Sequence, residues 1–251
     1  MTIYTCRQDL TDMMTCIYDA WASRRGHANV RLMCEPVFQQ DLFCEYIHVS
    51  ADEEKARKVL RSIKNKISPA ACMQIMYAAL SWEEDALDAI YRFLIVGFGN
   101  GAATLSMLSH PAVMRLMEIY RNVRNEAHVM IEFSRFTSIG QKVYVSHIEP
   151  KSDVLVLTAE HFADRMPSEY FLIIDDNRRN AAVHPPNEAF YIRHLTAEEA
   201  ACLSGTEQAE DTYAMLWRTF FDAIGIKERE NPDCQRNFFP IFRRTHVTEF
   251  L

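Results

Sequence analysis

The sequence lacks most of the signatures by which function is read directly. Its seven cysteines (Cys6, Cys16, Cys34, Cys44, Cys72, Cys202 and Cys234) are odd in number and contain no C-x-x-C pair. A disulfide framework and a zinc ribbon both need paired spacing, so buried free thiols in a reducing compartment are expected. The longest apolar run, around Phe93 to Phe98, is far short of the roughly 20 residues of a membrane helix. The first residues, Met1 to Cys6, carry no basic segment followed by an apolar one, so no secretory signal is read and a cytoplasmic protein with no membrane contact is expected. No G-x-S-x-G, P-loop or CxxxCxxC cluster is present, which removes the common serine hydrolases, P-loop NTPases and radical-SAM iron–sulfur sites. No internal repeat and no low-complexity linker appear. Positive charge is also in deficit. With 27 Lys+Arg against 34 Asp+Glu, the net charge is −7, which excludes a protein that coats nucleic acid by charge alone but not one with a local basic strip.

What is present is an ordinary globular composition, 49% hydrophobic and 24% charged. Thr2 to Arg7 and Asn29 to Glu35 read as strands, with a helix between them over Thr11 to Ala22. Ser50 with Glu53 forms a capping box predicting a helix from Ala51 to about Ile67. Ser68-Pro69 starts another helix. Ser81 with Glu84 forms a second box, followed by the stripe Leu87, Ile90, Leu94 and Phe98. A long helix is predicted after His110-Pro111, ending near Phe136. The period then changes: Lys142 to Glu149, Val154 to His161, Tyr170 to Asp175 and Ala181 to Ile192 read as strands, the last interrupted by Pro185-Pro186. Thr196 with Glu199 caps a short helix, and a longer one carries Tyr213, Leu216, Phe220 and Ile224 up to Gly225. This order predicts an α+β fold in which a largely antiparallel sheet packs with a block of helices. One compact unit over residues 1–251 is expected, with sub-lobes at 36–140, 141–195 and 196–251.

Gly97-Phe98-Gly99-Asn100-Gly101 after an apolar run resembles a nucleotide loop, but the helical stripe continues into it. The glycines are therefore read as a helix terminus. On the long helix, Arg121, Arg124, His128, Glu132 and Arg135 fall on one stripe at about 100° per residue, opposite Val123, Ala127, Met130 and Ser134. Such a stripe suits phosphate oxygens, because guanidinium presents a planar, permanently charged fork. It also suits a solvated face laced by pairs such as His128 with Glu132. His147 and Glu149, two apart on a strand, share a face. His161 ends the next predicted strand and is followed by Asp164 and Arg165. These imidazoles and carboxylates have the chemistry to bind metal or move protons, or to hydrogen-bond loops. With no ligand signature, neither a metal nor a cofactor is expected. Asp175 to Asn180 reads as a hairpin turn. The tail from Lys227 sets Lys227, Arg229, Arg236, Arg243 and Arg244 among Phe238, Phe239 and Phe242. That pattern fits base stacking or a terminal segment pinned by its phenylalanines.

Asn125-Glu126-Ala127-His128, Phe133-Ser134-Arg135-Phe136, Tyr144, Ile148-Glu149-Pro150, His161-Phe162-Ala163-Asp164-Arg165 and Ile173-Ile174-Asp175, in this order, carry a resemblance. So do Ile47-His48-Val49-Ser50 and Thr248-Glu249-Phe250. Together they resemble a bacterial family linked to DNA metabolism and DNA repair, otherwise a domain of unknown function. The likeness runs over nearly the whole chain and departs from the family pattern at Val129, where the family has arginine. It implies a protein acting beside a radical-SAM partner with DNA-binding features, in a family that also occurs fused to uracil-DNA-glycosylase-like modules. It also implies a helical stretch before Gly97. Three functions follow as expectations. The first is a DNA-metabolism accessory protein holding phosphates with Arg121, Arg124, Arg135 and Arg165. The second is an enzyme on a nucleobase or nucleotide with His128, His161 and Asp175 as acid–base groups. The third is an interaction module without chemistry. Glu126, Phe136 and Glu149 are expected to support the site.

Overall fold

A computed structural model of the chain describes residues 1–39, 41–140, 142–204, 212–241 and 244–250. The expected Arg243 and Phe242 lie outside the described residues. The fold is α+β, and its contacts divide the chain into two compact units, Met1–Asn125 and Glu126–Leu251.

In the first unit, β1 (Thr2–Cys6), α1 (Leu10–Ala22) and β2 (Val30–Cys34) form a strand–helix–strand unit. The sheet order is β2-β1-β3, with β3 (Glu45–His48) also parallel to β1. The central strand β1 is buried along its whole length, as a parallel strand covered on both faces must be. Asp9 caps α1 by accepting from Thr11 N at 2.8 Å. Met13, Met14 and Ile17 of α1 then join Tyr4 and Leu32 in the core.

The helices α2 (Glu53–Lys66), α3 (Pro69–Ala78) and α4 (Ala86–Asn100) complete this core with Val59, Ile63, Ile75, Leu87 and Ile90. Ser68 caps α3 as its sequence predicts. Two other predicted boxes act differently. The cap of α2 is Asp52, which accepts from Glu54 N and Lys55 N at 2.9 and 3.1 Å. A carboxylate two and three residues ahead of those amides fits better than Ser50 can. Ser81 accepts from Glu83 N at 3.1 Å and shapes a turn, while α4 starts only at Ala86. The glycine-rich stretch is helix to Asn100, ended by Gly101 at φ +59°. Gly97 lies inside α4 against Ile67, whose Cδ1 would have to shift to admit a Cβ there, 2.5 Å away. Arg115, on α5 (Pro111–Phe133), binds Asp85 Oδ2 at 2.8 Å and Glu118 Oε2 at 2.9 Å, tying that helix to the turn before α4.

The second unit holds a five-stranded sheet in the order β4-β5-β6-β7-β8. Its strands are β4 (Thr137–Ile139), β5 (Val143–Ile148), β6 (Phe171–Asp175), β7 (Asn180–His184) and β8 (Tyr191–His194). All neighbours pair antiparallel except β5 and β6. A parallel pair needs a crossover, and this is α6 (Leu155–Arg165). The strand predicted over Val154 to His161 is therefore a helix. Its β-branched start favours a strand, but Leu155, Thr158, Ala159 and Phe162 are buried at helical spacing. The Thr196–Glu199 box at α7 (Ala197–Ser204) is formed reciprocally: Thr196 N donates to Glu199 and Glu199 N to Thr196 Oγ1. The helices α8 (Thr212–Ile224) and α9 (Pro232–Phe238) follow.

Candidate functional site

The predicted site residues lie on or just past α5, on α6 and at the ends of β5 and β6. Arg121 and Arg124 are exposed on α5 and engage no partner among the described residues. His128 is exposed and pairs with Glu132 one turn on, Nε2 to Oε1 at 3.1 Å. Arg135 lies past the helix end with its guanidinium committed: Nε donates to Glu249 Oε2 at 3.1 Å, and Nη2 bonds Glu249 Oε1. Its charge lies 5.9 Å from the Trp217 ring. It holds the last residues in place rather than leaving its fork open.

His161 and Arg165 are exposed on α6, so His161 does not end a strand. Asp175 is fully buried and accepts from Arg178 N at 3.1 Å and Arg178 Nη1 at 3.0 Å. Burial pushes its carboxyl up from the ordinary value, against the pull of Arg178. It anchors the β6–β7 turn. No contact joins His128, His161 and Asp175 among the described residues.

The three supporting residues have distinct places. Glu126 is buried, and its two oxygens accept from Lys151 N and Ser152 N, each at 2.9 Å. Arg178 Nη1 and Asn177 Nδ2 donate to Pro150 O at 3.1 and 3.0 Å from the other side. The turn after β5 is thus gripped at its amides and its carbonyls. Phe136 packs edge-on against Phe162 and Phe171, at 4.9 and 6.0 Å between ring centres. Glu149 projects at the start of that gripped turn and is half-exposed.

Glu149 belongs to a cluster. His147 is buried at the end of β5, with Nδ1 at 3.0 Å from Asp176 Oδ2. His246, from the chain's last segment, places Nε2 at 3.5 Å from Glu149 Oε1 and 3.6 Å from Asp176 Oδ2. The two imidazole rings stack at 5.7 Å. The register brings this about. His147 pairs with Ile174 and Ile148 with Asp175, so Glu149 and Asp176 leave the parallel pair side by side. Asp176 N continues the ladder to Ile148 O at 3.1 Å. A cavity of about 30 Å³ opens beside His147, Glu149 and His246. Sequence spacing signals His147 with Glu149, whereas Asp176 is concealed as a turn residue and His246 carries no local signal.

The first unit has a separate and larger concavity. Ile17, Tyr18, Trp21 and Ala22 of α1, Lys58, Val59, Ser62 and Lys66 of α2, and Phe98 of α4 line a cavity of about 380 Å³. A second cavity of about 440 Å³ shares Trp21 and Ala22 and adds Arg24, Arg25, His27 and Tyr91. Trp21 is the common wall, edge-on to Phe98 and Tyr91. Lys66 Nζ lies 6.0 Å over the Phe98 ring. The α2 sequence is basic, with Lys55, Arg57, Lys58, Arg61, Lys64 and Lys66 against Glu53 and Glu54. The signal for this wall is Lys58, Ser62 and Lys66, spaced by four on one helix face.

Among the described residues no helix is long and apolar enough to cross a membrane. No curated protein matches the chain. The family DUF4130, a domain of unknown function, matches residues 84–249. That stretch takes in α4, α5 and the whole β5–β6 cluster, while α1 and α2 precede it. Because the match covers more than half of the sequence, the chain belongs to the DUF4130 domain-of-unknown-function family.

Proposed function

We propose that the protein is a cytoplasmic DNA-metabolism accessory protein that contacts single-stranded nucleic acid beside a radical-SAM partner. The observation that carries this reading is the basic-aromatic groove of the first unit. Single strands are held by aromatic side chains that stack bases and by cations that track phosphates. The groove supplies Trp21, Tyr18 and Phe98 for the first task and Lys58, Lys66 and Arg24 for the second. Its volume suits a nucleotide-sized group. Lys66 and Arg24 form no ion pair among the described residues, and the Lys58–Glu54 pair is an exposed one of little strength. These cations are open to phosphate. Arg121 and Arg124, also exposed on the first unit, belong to the proposed phosphate-binding set.

The partner part of the reading rests on the family resemblance and on α8. That helix exposes Leu216, Phe220 and Ile224 at four-residue spacing, an apolar face of the kind that marks protein contacts. Binding of a fluorescent oligo-dT at low salt tests the reading. Saturable binding that weakens steeply with salt is expected, together with quenching of tryptophan emission by stacking on Trp21. Binding that is absent at low salt, or is unchanged in a Trp21→Ala, Lys66→Glu variant, contradicts it.

A further inference from the structure

We propose that Glu149, Asp176 and His246 bind a divalent first-row transition-metal ion, with His147 holding the Asp176 carboxylate in position. The inference concerns the second unit alone and does not rest on the nucleic-acid reading.

Three observations converge on it. The first is distance. One ligand atom from each of Glu149, Asp176 and His246 lies within 4.8 Å of the other two. A metal bound to imidazole nitrogen and carboxylate oxygen at roughly 2.0–2.2 Å separates neighbouring donors by about 3–3.6 Å. The 3.5 and 3.6 Å spacings from His246 Nε2 already fall there, and the two carboxylates offer oxygens within 4.8 Å of each other. The second is chemistry. Mixed imidazole and carboxylate donors suit zinc, manganese, iron and cobalt rather than the all-oxygen cages of calcium or the thiolate sites of softer ions. A carboxylate supported by a buried histidine is the kind of outer arrangement that orients metal ligands, and His147 Nδ1 stands 3.0 and 3.1 Å from the two Asp176 oxygens.

The third is position. Glu149 and Asp176 follow the carboxyl ends of the parallel strands β5 and β6, where sheets with parallel strands place their ligands. The turn following Glu149 is fixed by Glu126, Asn177 and Arg178, so the backbone that carries its donor is held. The adjoining cavity of about 30 Å³ has room for an ion's remaining water. Three protein donors leave coordination positions for solvent or substrate.

Cobalt(II) distinguishes this site from the seven cysteines. It is titrated into the untagged, chelator-stripped full chain and followed by calorimetry and visible absorption. The expected result is one equivalent bound, with ligand-field bands and no thiolate charge-transfer band. Proton NMR should show paramagnetically shifted ring protons from His246. Glu149→Gln and His246→Gln should each weaken binding at least tenfold, and His147→Gln by about tenfold or more. Absence of saturable binding, a thiolate band at one equivalent, or unshifted His246 signals in the unsubstituted chain would overturn the proposal. The NMR reading uses the unsubstituted chain, so it decides the matter even where a variant fails to fold.

Discussion

The two units divide the protein's charge unequally. Of the 27 Lys+Arg and 34 Asp+Glu residues, 14 of each lie in 1–125, so the whole excess of seven acids lies in 126–251. The first unit is neutral and concentrates cations on one helix, α2, beside the aromatic wall of α1. The second is acidic and gathers carboxylates with histidines where the parallel pair β5 and β6 ends. A net charge of −7 taken for the molecule as a whole speaks against polyanion contact. Taken unit by unit, it permits a phosphate-binding face on one and a cation-binding cluster on the other. Net charge bounds function only at the scale of the surface that performs it.

If the two units act separately, disabling one should leave the other unaffected. Combining Trp21→Ala with Lys58→Glu and Lys66→Glu should reduce oligo-dT affinity by 100-fold or more in fluorescence titration. Loss of one stacked base alone costs about 1–3 kcal/mol. Cobalt binding should stay unchanged, and a parallel fall in both would dissolve the distinction.

Next in size is Glu126→Ala, which leaves the Lys151 and Ser152 amides without their acceptor. The loss of buried hydrogen bonds should destabilise the second unit by about 1–3 kcal/mol in urea unfolding. It should also weaken cobalt binding while leaving oligo-dT affinity intact.

Acidification is a gentler probe. Burial pushes Glu249 up, but hydrogen bonds from Arg135, its own backbone amide and Trp217 outweigh this and hold its carboxyl below the ordinary value. Its unfolded form therefore takes up a proton first. The stability it contributes is fully present above about pH 4.3 and is lost as pH falls through the lower folded value. Trp217, whose Nε1 donates to Glu249 at 3.1 Å, should report this as a change of emission, absent in Arg135→Gln. The smallest effect is expected from Arg121→Ala and Arg124→Ala. Each should change stability by less than about 0.5 kcal/mol yet make the salt dependence of oligo-dT binding shallower by about 0.7 in log–log slope.

Much of the fold is legible where one local interaction decides. Ser68-Pro69, the Thr196–Glu199 box, the Asp175 turn and Gly101 at the end of α4 each act within four residues, and each appears where the sequence puts it. β3 and α6 are among the elements that are not legible, because distant partners decide them. β3 is a short, partly exposed strand fixed by pairing with β1. α6 has strand-like residues and is a helix because β5 and β6 run parallel. The same limit applies to the sites. Arg135 reads as a phosphate ligand until Glu249, far along the chain, engages it. His147 and Glu149 are visible as a pair, but Asp176 and His246 reach them only through the strand register and the course of the last segment. The groove needs α1 and α2 together, and each alone reads as an ordinary amphipathic helix.

The groove of the first unit is the proposed seat of nucleic acid. Amide and side-chain NMR of the full chain during titration with oligo-dT tests it most directly. Shifts centred on Tyr18, Trp21, Ser62, Lys66 and Phe98 are expected, with His147 and His246 unmoved. Shifts centred on the β5–β6 cluster, or none at saturating oligonucleotide in low salt, would contradict it.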